Sequence, residues 1–499
     1  MTQAAVEHTP IAAPVADLNP IAWGQFHLRG GWKSFWTTTL GYAVLVGGGM
    51  LLVVRLSDGT PGALIGLKFA FTGLQAGMIA IFVCARVATA VRQDQTSKMI
   101  ESHRLTPISP AQAVLGYMIG PAAQPLGLCA VNLLLGCALG GATGTPLVLW
   151  LTVNAVLLLF SAFATTLSVF GAFAGRPGGS AAGWIGAFVA LVNILAIGSV
   201  LPAVNVLGTP LLGPTVFNMS VAGRDAVTVY APSTVFQFLI AAVCFAGACR
   251  RYRRDDRPAL GWDLGLAMML AWVATSVYGI LFWDTVAPSA IRGRATDPVL
   301  QFLGSIMATM VLALVPLAGA AWDRADWEGR RALGDTPRRR PPPPWMVALA
   351  AAVVTLGLTA APLTMPHSNM SVAPPPYAAW RTAAVVVSFY LATGYVLRIL
   401  VRVTGKLLAP LGAWVMVTCF VPIAVDYLLW WLVDANPISW VLSTASTFGP
   451  VGALIQIWTR EADATRAGIV FQIAFASAIA AAYHLTQPKR SRRAVAGRD

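Results

Sequence analysis

Apolar runs long enough to cross a bilayer recur along almost the whole chain. A helix needs about twenty apolar residues to span the hydrocarbon core. Of all residues, 57% are hydrophobic and 11% are charged, whereas soluble domains carry about 25% charged residues. The sequence therefore predicts an all-α polytopic membrane protein with about twelve transmembrane helices. The predicted spans are 36–56, 63–90, 111–139, 145–173, 181–203, 233–249, 261–284, 298–321, 345–364, 379–401, 408–433 and 467–486.

Basic residues are concentrated in alternate loops of this map. If residue 1 is cytoplasmic, the segments 92–110, 250–260 and 322–344 and the tail lie inside, and the inside holds most of the 34 lysines and arginines. Such a bias marks the cytoplasmic side. It predicts a multi-pass protein of a bacterial inner membrane, with both termini cytoplasmic. Topology accounts for the net charge of +14, so lipid is an expected partner and nucleic acid is not.

The two halves of the chain follow a similar plan. In each, an apolar piece containing Gly-Pro precedes the last span, and a basic run follows it. One such piece, at 439–458, is interrupted by Gly449-Pro450 and is expected to be a broken or re-entrant segment. The predicted domains are an N-terminal segment with an interfacial elbow helix at 1–35, a first six-span half at 36–258, a diverged second half at 259–486 and a basic tail at 487–499.

A polar segment of about twenty residues interrupts the apolar pattern at 92–112. Residues 93–105 predict a short amphipathic helix, and the following "TPISP" ends it because proline removes an amide donor and restricts its predecessor. Ser109 can cap the next helix, with Pro110 at its first position. The segment therefore predicts a short helix under the membrane, rigidly joined to the next span.

The stretch "KMIESHRLTPISPAQAVLG" resembles the intracellular coupling segment of the ABC type-2 transporter permeases. In that family a glycine-threonine pair precedes a glutamate, several apolar residues and a threonine-proline-leucine-serine element. The elbow helix of the family is similar to "NPIAWGQFHLRGGW" at 19–32. Lys98 and Met99 depart from the glycine-threonine pair, and Tyr117 replaces a common lysine. The residues that match in order are Glu101, Thr106, Pro107, Ile108, Ser109 and Gly116.

The resemblance implies a permease subunit of an ABC exporter, with two six-span halves forming a pseudo-dimer within one chain. Two separate P-loop ATPase subunits would bind and hydrolyse ATP. This chain has no GxxxxGK[ST] element, so neither enzymatic activity nor a cofactor of its own is expected. Charged residues of the segment would set its register on the ATPase, and apolar ones would supply the buried contact. The ATPase-coupling residues implied are Met99, Ile100, Glu101, Arg104, Leu105, Thr106, Pro107, Ile108 and Ser109.

The corresponding loop of the second half, "WDRADWEGRRALGDTPRRRPPPP", lacks the threonine-proline-leucine-serine element. Asp323, Asp326 and Glu328 beside Trp327 are its coupling candidates. For the translocation path, Asp426 is a candidate because a carboxylate at membrane depth usually faces a cavity. Gln124 is another, because Pro121 and Pro125 beside it predict a kink.

Other functional residue patterns are absent or weak. The five histidines are scattered and the six cysteines lie in apolar runs, so no catalytic or metal site is predicted. Lys68, near the first predicted outer loop, is expected to extend its amine to water.

Two further function classes are consistent with a polytopic chain. An ion- or proton-coupled secondary transporter also has doubled halves, but it requires more intramembrane charge than these spans carry. A membrane enzyme acting on lipids requires clustered acids or histidines at the interface. The apolar spans favour a lipophilic or amphipathic cargo over a highly charged one.

Overall fold

The computed structural model describes most of the chain: residues 19–139, 146–175, 202–208, 226–254, 258–282, 298–332, 340–361, 377–404, 414, 417–418, 421–422, 449–458 and 462–486. All regular elements in these ranges are helical. Eight helices among them are long and apolar enough to cross a membrane, or nine if one bent pair counts as a span. The chain is thus an all-α polytopic membrane protein, as predicted. The predicted spans 181–203 and 408–433 lie mostly outside the described residues.

The chain divides into two compact units: the first comprises residues 1–199, 203–259 and 282–294, and the second comprises 200–202, 260–281 and 295–499. In the first unit, Pro61–Thr96 form one continuous apolar helix of 36 residues, which contains a π-helical segment at Met78–Val83. Its helices are α1 (Pro20–Leu28), α2 (Gly31–Leu56), α3 (Pro61–Gly77), α4 (Cys84–Thr96), α5 (Met99–Leu105), α6 (Pro110–Ile119), α7 (Ala123–Ala138), α8 (Leu147–Ala174), α9 (Pro202–Gly208, whose first residue belongs to the second unit) and α10 (Ala226–Arg253).

The second unit packs around a core that includes Trp458. The Trp458 ring lies 4.4 Å from Phe302 between centroids, and its Nε1 donates to Thr382 Oγ1 at 3.1 Å. The helices are α11 (Trp262–Leu281), α12 (Pro298–Ala332), α13 (Pro344–Leu356), α14 (Ala378–Thr404), α15 (Pro450–Trp458) and α16 (Ala462–Thr486).

The helix boundaries correct several predictions. α12 continues through Ala332, so the region 322–332, predicted as a loop, is helical. α13 has only 13 residues, about 20 Å at the α-helical rise, and a 3₁₀ turn follows it. It is shorter than the span predicted at 345–364. α15 begins at Pro450 and is nine residues long, as expected after the Gly449-Pro450 interruption.

Lys68 was expected to reach water, and this prediction is wrong. Its side chain lies on α3, is 1% exposed, and its Nζ is 5.9 Å from the centroid of the Trp150 ring on α8. Because α3 begins at Pro61, Lys68 lies nearly two turns inside the helix and on the face that α8 covers. Its amine therefore belongs to the interior of the first unit.

The elbow helix α1 packs on α6 at backbone contact distance. Asn19 caps α1 by accepting from the Ala22 amide at 3.0 Å, and its Nδ2 donates to the Gln112 carbonyl at 2.7 Å. A Cβ added at Gly116 would lie 2.8 Å from Ile21 Cβ, and one at Gly120 would lie 2.6 Å from the Ala22 carbonyl oxygen. The two glycines, one helical turn apart, therefore allow the close approach of α1.

Gly120→Ala is expected to destabilise the protein because the new methyl group would displace the α1 backbone. Overpacking of this kind costs about 1–3 kcal/mol. Gly24→Ala is the matched control on α1, since an added Cβ there meets nothing within 4 Å and alanine favours helix by up to about 1 kcal/mol. Unfolding temperatures of both purified variants in one detergent provide the measurement. A Gly120→Ala protein as stable as Gly24→Ala would contradict this packing.

Candidate functional site

The polar segment that follows the second long helix, Pro61–Thr96, forms a separate short helix. α4 continues through Thr96, and α5 then covers Met99–Leu105, so the helix predicted over 93–105 begins six residues later. The turn between them is at Lys98, whose φ is +59°, a left-handed conformation that is costly for residues other than glycine.

The connection from α5 to α6 is fixed by a capping box. Thr106 is extended and ends α5. The Ser109 hydroxyl accepts from the Gln112 amide at 3.2 Å, and Gln112 Oε1 accepts from the Ser109 amide at 3.0 Å. Pro110 occupies the first position of α6, where its missing amide proton costs nothing. The helix start predicted at Ser109-Pro110 is confirmed.

One face of α5 is bound to the first unit itself. Ile100 is 5% exposed and belongs to a hydrophobic core that includes Tyr117, Phe173 and Tyr252. Arg104 Nε donates to the Tyr252 carbonyl at 2.6 Å, and its guanidinium carbon lies 5.9 Å from the centroid of the Tyr252 ring. Ile100 and Arg104, predicted to contact a partner, thus attach α5 to the end of α10.

A buried carboxylate lies behind α5. Asp94 is 2% exposed, and its Oδ2 accepts from Gln25 Nε2 at 2.8 Å and from the Tyr117 hydroxyl at 2.7 Å. His103 Nδ1 lies 3.3 Å from the same hydroxyl and can donate to it. This network connects the elbow helix, α4, α5 and α6, and the interpretation of the sequence did not include any of its bonds.

Arg29, at the end of the elbow helix, carries charge close to this network. Its Nη2 donates to the Arg86 carbonyl at 3.3 Å. Burial lowers the pKa of Arg29, Arg86 lowers it further, and the Asp94 carboxylate opposes both effects. The acid therefore also partly compensates the charge of Arg29.

The opposite face of α5 is exposed. Leu105 is 89% exposed and Met99 is 43% exposed, and Glu101 is exposed beside them. Thr106, Pro107 and Ser109 are exposed, and Ile108 is half-buried. The structure thus separates the predicted coupling residues into an attached set and an exposed set. We call the face formed by Met99, Glu101 and Leu105 the α5 outer face.

The coupling candidates of the second half lie on the extended end of α12. Glu328 Oε1 accepts from Arg324 Nε at 3.1 Å, and Glu328 Oε2 contacts Arg398, which is 3% exposed. Asp326 pairs with Arg330 at 3.1 Å. Asp326 and Glu328 therefore form ion pairs within this unit, and Asp323 lies on the same helix.

Trp327 lies among three arginines. The guanidinium carbons of Arg324, Arg331 and Arg340 are 5.0, 5.4 and 5.7 Å from a Trp327 ring centroid, distances typical of cation–π contact. The end of α12 is thus held by arginines of its own surface and by Arg340 and Arg398 from outside it.

Of the two translocation-path candidates, only Gln124 lies in the described residues. Its Oε1 accepts from Arg86, and its Nε2 donates to Thr38 Oγ1 at 2.8 Å. α6 and α7 meet at an angle of 51°, so the kink predicted beside Pro121 and Pro125 is confirmed. Asp426 lies outside the described residues.

In the parts of the chain that the structure describes, no three histidine, cysteine, aspartate or glutamate residues are grouped as a metal site would require. No protein-family model, curated protein or solved structure matches the chain.

Tyr117→Phe is expected to destabilise the protein because it leaves the buried Asp94 carboxylate without one of its two donors. Loss of one partner from a buried group costs about 1–3 kcal/mol, and more when the group is charged. Tyr252→Phe is the matched control, since the buried Tyr252 hydroxyl has no hydrogen-bond partner among the described residues, and its removal should be neutral or stabilising. Thermal unfolding in detergent measures both. Equal stabilities of the two variants would show that Asp94 does not depend on Tyr117.

Proposed function

We propose that this chain is the membrane-spanning permease subunit of an ABC exporter. Its α5 outer face would dock on a separate P-loop ATPase, which would supply the energy for transport. Two lines of support are independent: the resemblance of 98–116 to the coupling segment of ABC type-2 permeases, and the way in which α5 is attached.

The observation that carries the proposal is the two-sided construction of α5. A helix of seven residues is too short to be stable alone in water. This one is held by the burial of Ile100, by the hydrogen bond from Arg104 to Tyr252 of α10, and by the capping box that follows it. It nevertheless presents Leu105 and Met99 to solvent. Contiguous exposed apolar side chains mark protein or membrane interaction sites, and we propose that these two contribute to such a surface.

The attachment also provides a route for mechanical coupling. Force applied to α5 would pass through Arg104 to α10, through the capping box to α6, and through the network of Asp94 to α4 and the elbow helix. Rigid-body movement of packed helices is a common form of switching in proteins. Closure of an ATPase pair would move α5 and these helices together.

The finer features of the proposal follow the family plan. The chain would have about twelve spans in two six-helix halves and would act as a pseudo-dimer with two ATPase subunits. It would lie in a bacterial inner membrane with both termini cytoplasmic. ATP would bind to the partner, and this chain would not be an enzyme.

The two halves would contribute unequally to ATPase docking. The α5 outer face offers an acid and two apolar side chains, whereas Asp326 and Glu328 on α12 are engaged with Arg330, Arg324 and Arg398. The coupling residues of the first half would therefore carry more of the contact.

Leu105→Asp is expected to reduce ATPase association, because a carboxylate would have to be buried where an apolar side chain packs. Leu56→Asp is the matched control, since Leu56 is also a strongly exposed leucine, 78% against 89%, at the far end of α2. The tagged protein is isolated from its source membranes, and co-purifying P-loop ATPase is quantified by mass spectrometry and ATP hydrolysis. A central interface residue is worth about ten-fold or more in affinity. Wild-type protein without an ATPase, or equal recovery with both variants, would refute the proposal.

The pseudo-dimer predicts a definite subunit composition. Native mass measurement of the purified complex should give one copy of this chain and two ATPase subunits, because each half supplies one side of the translocation path. Two copies of this chain per complex would instead make the second half an accessory region.

A further inference from the structure

A polar cavity opens at the basic end of α10, on the surface of the first unit. Its volume is about 740 Å³. Pro110, the first residue of α6, forms one side of it. The other described residues that line it are Cys249, Arg250, Arg253 and Arg254. Three arginines thus line one cavity, and none of its described lining residues is acidic.

The basic run at the end of α10 serves two purposes. Arg251 Nε donates to the Phe173 carbonyl at 3.2 Å, and Tyr252 is buried in the core of the first unit, so the middle of the run holds α10 in place. Arg253 and Arg254 are exposed, and in the described part of the chain neither side chain forms an ion pair. A run that only sets topology does not require its arginines to share a cavity.

An exposed apolar face of α10 leads to this cavity. Tyr230–Arg253 is one of the candidate membrane spans. Val235 and Leu239 are 57% and 44% exposed, and Ala242 is exposed one turn further on. At 3.6 residues per turn, these three side chains and Cys249 lie within about 40° of the direction of Arg253. The apolar face and the basic cavity are therefore continuous along one side of the helix.

The length of this face matches one leaflet of a bilayer. Leu239 and Cys249 are ten residues apart, which is about 15 Å along a helix, and half of the hydrocarbon core is also about 15 Å thick. A phospholipid has the same order of parts, a hydrocarbon region of one leaflet and then a phosphate. A free phosphate would use the arginines alone, so the apolar face favours the lipid.

We propose that this cavity binds the head group of an anionic phospholipid whose acyl chains lie along the exposed face of α10. The guanidinium groups of Arg253 and Arg254 donate to the phosphate oxygens, for which their planar fork of N–H groups is suited. Basic pockets beside membrane helices commonly bind such head groups. Binding requires no ATPase, so its test succeeds or fails independently of the proposed transport function.

The experiment is native mass spectrometry of the purified wild-type protein in a non-ionic detergent, titrated with dioleoyl phosphatidylglycerol or dioleoyl phosphatidylcholine. The two lipids have the same chains and differ in head-group charge. The phosphatidylglycerol adduct is expected to form at the lower lipid concentration. Inorganic phosphate in large excess should not displace it, because phosphate lacks the chains that contact α10.

Variants locate the site. Arg253→Gln combined with Arg254→Gln should weaken phosphatidylglycerol binding about ten-fold or more, since each basic residue near a lipid surface contributes about five-fold. Phosphatidylcholine binding should stay as it is. Lys33→Gln combined with Lys98→Gln is the matched control. It removes the same charge from two exposed lysines that do not line the cavity, and it should keep the adduct.

Equal affinity of the wild-type protein for the two lipids would overturn the proposal, and so would displacement of phosphatidylglycerol by inorganic phosphate. Equal binding by the arginine and lysine variants would place the lipid elsewhere and also overturn it. If the arginine variant instead lost a co-purifying ATPase with unchanged lipid adducts, the arginines would belong to a protein contact. The first two comparisons use only wild-type protein, so they do not depend on the folding of any variant.

Discussion

The carboxylate of Asp94 is the interaction on which the packing of the elbow helix, α4 and α6 depends. An isolated charge is expensive to bury, yet Asp94 is almost completely covered. It is stabilised because Gln25 and Tyr117 donate to one of its oxygens and because Arg29 lies close enough to interact with it. Gln25 and Arg29 belong to the elbow helix and its end, Asp94 lies on α4 and Tyr117 lies on α6. The acid therefore makes the positions of the elbow helix, α4 and α6 depend on one another.

The short helix α5 has a definite position because residues of neighbouring elements hold it. Its backbone supplies few hydrogen bonds. Its orientation is set by the bond from Arg104 to the Tyr252 carbonyl at the end of α10 and by the capping box that begins α6. The residues that hold α5 are different from those that it exposes. Docking and attachment can therefore change independently, which a helix held by all its side chains would not allow.

The sequence predicted the class of the fold because apolar length and charge asymmetry are local properties. It also predicted the start of α6, since Ser109 and Pro110 act within one turn. It could not predict the direction of Arg104, whose acceptor on Tyr252 lies 148 residues away. The start of α5 was placed too early because a lysine with a positive φ, as at Lys98, has no sequence signal.

Errors in the second unit and at Lys68 have related causes. The end of α12 was predicted as a loop on the basis of its charge. The ion pairs of Arg324 with Glu328 and of Asp326 with Arg330 have the four-residue spacing that stabilises a helix, and this spacing could have revealed it. The burial of Lys68 depends on where α8 packs, and no local pattern contains that information.

Two helices are longer than the hydrocarbon core of a bilayer is thick. The helix from Pro61 to Thr96 has 36 residues, about 54 Å at 1.5 Å per residue, whereas the hydrocarbon core is about 30 Å thick. Even a tilt of about 40°, the upper end of the usual range, leaves roughly 10 Å of it beyond the core. α12, with 35 residues, is nearly as long. Part of each helix must therefore lie beyond the hydrocarbon layer, and the charged ends, residues 92–96 and 324–332, are the parts that cost least to place there.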